Sequence, residues 1–185
     1  MQESKKRTAL LGLAFLAFLF LSSYENTIFF SLLLGEILKN QFLAVGMLFL
    51  HNVLVVSMIL LGMNFYVSLV KVGFFKNEGK YAYIVLEHPR VYALTFTVII
   101  VFLSILRGST LIYGGVSLEA LPTILLMSTP VGLVEGYGIY MTIKNTLSQT
   151  LKTKDLAVIY GIFLAAALLE VALINVLITI LKFSA

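Results

Sequence analysis

Residues 42–75 read FLAVGMLFLHNVLVVSMILLGMNFYVSLVKVGFF, and the stretch carries a single charge, Lys71. A helix of about 20 apolar residues crosses the hydrocarbon core of a bilayer, so this run is long enough to span it with residues to spare. Its centre holds two polar residues, His51 and Asn52, and its end turns polar at Asn64, Lys71 and Lys76. The run therefore reads as one transmembrane helix over 42–64, continuing into an amphipathic stretch that ends near Lys76.

The rest of the 185-residue chain follows the same rule. Hydrophobic residues make up 60% and charged residues only 12%, against roughly 45–50% and 25% in a soluble domain. Too few charges exist to cover so much apolar surface in water, so lipid is the solvent for most of the chain. The expected fold class is all-α and polytopic: about five transmembrane helices, over 8–22, 42–64, 91–107, 119–143 and 156–181, in a single domain, with one or two short interfacial or re-entrant helices. One of these is placed at 27–38, where Thr27, Ser31, Gly35 and Lys39 fall on one stripe; a kinked extension of the first span is the competing reading. The basic Lys5-Lys6-Arg7 and apolar 9–21 have a signal peptide's layout, but Leu21-Ser22-Ser23 is a poor cleavage site, and a retained span is expected.

Basic residues give the direction. With the N-terminus cytoplasmic, Lys5, Lys6, Arg7, Lys71, Lys76, Lys80, Arg90, Lys144, Lys152 and Lys154 lie inside, and only Lys39, Arg107 and Lys182 outside. This is the asymmetry of the positive-inside rule. Splitting 42–75 into two spans would put the later basic segments outside, so it counts as one. The excess positive charge is then an orientation device, and nucleic acid is not a partner. No polar interval is long enough for an extramembrane domain, and the absence of Cys excludes disulfides and thiolate chemistry.

Polar groups within apolar spans must find partners. His51, Asn52, Glu135 and Glu170 form the candidate intramembrane cluster, because rise per residue puts His51, Glu135 and Glu170 within about 10 Å of the midplane. Three readings compete: interhelical hydrogen bonds that pack the spans, a proton or ion path, and a divalent-metal site. The last lacks any Glu-x-x-His or His-Glu-x-x-His spacing, so no metal and no cofactor is expected.

Pro130 removes an N–H and crowds the carbonyl of Leu126, so a kink or break is expected there, with Ser128 and Thr129 satisfying freed groups. Gly132, Gly136 and Gly138 leave nearly bare backbone, and Gly161 with Ala165 repeats the small-residue spacing. A tight pairing of the last two spans, or a homodimer across one of them, is expected. The spans hold no Asp, no Cys and no Gly-x-Ser-x-Gly elbow, and His51 and Ser57 fall on different helix faces. No catalytic residue is assigned, and the chain reads as a non-enzyme.

In these residues the chain resembles the stage II sporulation protein M family. That family pairs an Asn-Asn and a downstream Gly in its second span with a later Pro-His-Gly-x-x-Glu. Here the matching residues are His51-Asn52 with Gly62, and Pro130-Val131-Gly132-Leu133-Val134-Glu135. His51 replaces the first Asn and Val131 replaces the His, so any chemistry of that His is missing at its position. The resemblance implies a scaffold that assembles partner membrane proteins, as sporulating members do for cell-wall-degrading partners. The competing expectation is a small transporter, channel or permease-like subunit built on His51, Glu135 and Glu170.

Overall fold

A computed structural model describes residues 2–33, 40–74, 79–113, 118–119 and 121–184. The chain forms six helices over these residues: α1 (Gln2–Leu33), α2 (Gln41–Val72), α3 (Gly79–Glu87), α4 (Pro89–Tyr113), α5 (Leu121–Leu147) and α6 (Thr153–Ser184). Four of them, α2, α4, α5 and α6, have the length and apolar content to cross a membrane. Their outward side chains are apolar: Phe42 is 93% exposed, Leu126 77% and Phe20 of α1 74%. Contiguous apolar surface on this scale belongs in lipid. The chain is a multi-pass membrane protein.

Local chemistry fixes the helix ends. Asn40, extended at φ −120°, accepts from the amides of Phe42 and Leu43 at 3.1 and 3.2 Å and so caps α2. Gly73 ends the same helix at φ 72°, with its amide and that of Phe74 bonded back to Val70 and Leu69. A left-handed residue at that point costs Gly nothing. Pro89 opens α4, where its missing N–H is harmless. Asp155 accepts from the Lys152 amide at 2.8 Å, the return arm of a capping box at the start of α6.

The middle of the bundle is α2, α5 and α6 packed on one another, with α1 held by α2 and α4 by α5. One apolar cluster joins Val56, Ile59, Val67, Ala93, Ile139, Ile143, Leu147, Ile159 and Phe163; a second joins Ala44, Leu48, Ala167 and Val171. The α1–α2 seam is reciprocal. A Cβ on Gly12 would lie 3.0 Å from the ring of Phe65, and one on Gly62 would lie 3.0 Å from the ring of Phe15. Each helix thus seats its aromatic ring on the other's glycine, the close approach small residues permit in membranes.

Several sequence expectations change. The segment 27–38 is not a separate short helix as far as Leu33: α1 runs unbroken through Ser22-Ser23, because nothing there removes a backbone donor. Its remainder, 34–38, lies outside the described residues. A short helix stands instead in the polar interval before Pro89, as α3. The first span, read over 8–22, is the inner part of this longer helix. The spans read over 91–107, 119–143 and 156–181 lie within longer or shifted helices, since polar ends continue a helix beyond its apolar core. Residues 42–75 do form one helix to Val72. Pro130 sits exposed inside a continuous α5 and does not break it. Ser128 and Thr129 both donate to the carbonyl of Leu125, at 3.4 and 2.6 Å, and not to that of Leu126.

The glycines of α5 do not share one face. Gly132 and Gly136 turn to α4, where a Cβ would meet Val101 at 3.9 and 3.6 Å, ordinary contact distances. Gly138 turns to α6 and is far tighter, 2.6 Å from Phe163. The two-residue step from Gly136 to Gly138 rotates the helix by about 200°.

Candidate functional site

Three helices deliver the interior polar residues, each on its buried row. On α2 the stripe runs Ala44, Leu48, Asn52, Val56, so Asn52 interrupts an otherwise apolar series. On α5, Glu135 lies one turn from buried Val131 and one turn from buried Ile139. On α6, Glu170 adjoins buried Val171 and follows Ala166 and Ala167. Spacing of four keeps each polar residue on the face that its apolar neighbours bury. The result is a polar layer between the two apolar clusters.

Within this layer Asn52 presents its amide to the carboxyl of Glu135, and the carboxyls of Glu135 and Glu170 act on each other electrostatically. Asn52 is 7% exposed, and its Nδ2 meets no acceptor in full hydrogen-bond geometry. Glu135 and Glu170 are half-buried. Of the four residues expected to cluster, Asn52, Glu135 and Glu170 come together. His51 is half-buried too, and it lies about 100° around α2 from Asn52.

Chemically, the layer offers acceptor oxygens from two acids and donors from one amide. It can tie three helices together or hold a small cation or proton. Among the described residues no group of three His, Cys, Asp or Glu side chains is placed to hold a metal ion. Ser57 donates its hydroxyl to the Val53 carbonyl at 2.7 Å, a local helix bond and not a pairing with His51. Thr142 and Thr146, both buried, bond back to Gly138 and Thr142 in the same way.

Two clefts lie elsewhere. Between α4 and α5 an apolar groove of about 470 Å³ is lined by Thr97, Val101, Phe102, Gly132, Gly136 and Tyr137 among others. The Oγ1 of Thr97 is buried beside it without a hydrogen-bond partner. A polar cleft of about 360 Å³ opens where α1 begins and α2 and α5 end. Sequence reading missed the second cleft, since its residues are scattered from Arg7 to Leu151 and share no spacing. In comparisons with known proteins, no family model, no curated protein and no solved structure matches this chain.

Proposed function

We propose that the chain is a non-enzymatic membrane scaffold, an assembly partner for other membrane proteins. In this reading it crosses the bilayer five times, α1 included, with its N-terminus cytoplasmic and the cell membrane as its home. One observation supports it: Asn52 lies within reach of the Glu135 carboxyl and Glu135 within electrostatic reach of Glu170, while the outward faces are apolar. The polar layer then serves to fix the packing of α2, α5 and α6, and the outer surface is left for association. The resemblance to the stage II sporulation protein M family points the same way, because its two motif regions contribute Asn52 and Glu135.

Self-association belongs to this reading. The Gly132/Gly136 face is taken by α4, which leaves the stripe on α6. Gly161 and Ala165 are exposed, and a Cβ on Gly161 would touch nothing within 4 Å. A homodimer across that stripe predicts disulfide cross-linking of Ala165→Cys in native membranes, clean to read because the chain has no other Cys. Absence of any cross-link through Gly161→Cys or Ala165→Cys removes the dimer.

The second reading, a small transporter, channel or permease-like subunit, is favoured by the buried Nδ2 of Asn52 left without an acceptor near Glu135. Proteoliposome flux separates the two. The scaffold passes protons and monovalent cations no faster than empty liposomes, and Glu135→Gln alters only stability or association. Flux that Glu135→Gln abolishes overturns the scaffold in favour of transport.

A further inference from the structure

The cleft at the end of the bundle where α1 begins is lined by Arg7, Thr8, Asn64, Ser68, Lys71 and Gln149, with Val67, Thr146 and Leu151. Two of these side chains are cations and none is acidic. The cleft is assembled from three separate parts of the chain: the first turns of α1, the last turns of α2 and the turn that follows α5. Its volume of about 360 Å³ is at the lower end of ligand sites, and about ten times the share of one water.

Its hydrogen-bond inventory is weighted to donors. Lys71 Nζ donates to Oε1 of Gln149, which occupies that oxygen and leaves the Gln149 amide group as a donor. Asn64 gives one Nδ2 proton to the Leu60 carbonyl at 2.8 Å and keeps a second. The guanidinium of Arg7 adds five donors in a fork that matches a phosphate or carboxylate edge.

Gln149 is also held in an uncommon conformation. Its φ is 57°, where Gly is the usual residue, at the point where the amides of Gln149 and Thr150 bond back to Thr146 and Asn145. Such a left-handed non-Gly residue persists where the surrounding structure over-determines it. Here that side chain spans to Lys71 and forms one wall of the cleft.

We propose that this cleft binds a phosphoryl anion, supplied by the headgroup of an acidic phospholipid. The cleft lies at the end of a membrane bundle, and Val67 and Leu151 give its polar lining an apolar border, so a lipid can set its phosphate between Arg7 and Lys71 with its chains along the bundle. The site is independent of whether the polar layer packs helices or passes ions.

The test uses the full-length chain in neutral detergent, with thermal unfolding and native mass spectrometry as readouts. Phosphatidic acid and phosphatidylglycerol raise Tm and stay bound, and phosphatidylcholine does neither. Arg7→Ala with Lys71→Ala weakens retention about 30-fold, two cationic contacts near a membrane surface. Lys6→Ala with Lys154→Ala, which removes equal charge outside the cleft, leaves retention unchanged. Gln149→Gly lowers retention while raising Tm in the absence of lipid, a split that simple unfolding cannot produce. Inorganic phosphate that reproduces the Tm rise supports the site and assigns it to a soluble phosphate. Equal stabilisation by phosphatidylcholine, or equal loss in the two charge-removed variants, overturns the proposal.

Discussion

Replacing Gly138 by Ala tests the packing of α5 on α6 most sharply. The added Cβ would sit 2.6 Å from Cε2 and 3.0 Å from Cζ of Phe163, and 3.3 Å from Cγ2 of Ile162. Ordinary contact begins at 3.4 Å, so the ring must retreat by about 0.8 Å. Phe163 is 2% exposed and packs within the larger apolar cluster, which leaves no free space behind the ring. Overpacking of this kind costs about 1–3 kcal/mol, and the gain in helix propensity from Gly to Ala offsets up to about 1 kcal/mol. The net loss of about 1–2 kcal/mol lowers Tm by about 2–8 °C, measured by circular dichroism on the purified chain in detergent. Gly46→Ala, where a Cβ meets nothing within 4 Å, is the matched control and leaves Tm level or slightly higher. In the Gly138→Ala background, Phe163→Leu costs less than it does alone, because it removes the atoms in conflict; the double-mutant cycle reads a coupling above about 0.5 kcal/mol. If Gly138→Ala and Gly46→Ala unfold at the same temperature, the close approach of these helices is wrong.

Three further outcomes follow from the geometry. Asn52→Leu takes the amide from beside the Glu135 carboxyl and loosens the polar layer, a loss of about 1 kcal/mol in thermal unfolding; an unchanged Tm would count against the layer's part in packing. Asn52→Asp puts a third carboxyl against Glu135 and Glu170 and lowers detergent Tm clearly; a silent Asn52→Asp would separate these residues. Gly12→Ala and Gly62→Ala each push a Phe ring by a few tenths of an ångström and cost about 0.5–1 kcal/mol. Combined with Phe65→Leu and Phe15→Leu respectively, they recover part of that loss in thermal unfolding.

The membrane character and the single helix over residues 42–72 were legible in the sequence, because composition and rise per residue fix them. Orientation around each helix was harder to read. His51 and Asn52 have nearly the same height, yet only Asn52 lies on the row that continues through Leu48 and Val56. Gly136 and Gly138 are equally near in sequence and face different helices. The cleft was invisible for a related reason. Arg7 and Lys71 read as orientation charges, and Gln149 carried no signal. Their meeting depends on how α1, α2 and α5 pack, which no local spacing encodes. The run through Ser22-Ser23 misled because two serines look like a boundary, although a hydroxyl does not interrupt a helix ladder.

The size of α2 sets how the molecule must sit. Its 32 residues extend about 48 Å at 1.5 Å each, while the hydrocarbon layer is about 30 Å deep. To submerge it entirely would take a lean of about 50°, beyond the 0–40° that spanning helices adopt. Part of this rod therefore always protrudes, and a thinner or thicker sheet of lipid changes how many of its turns stand clear.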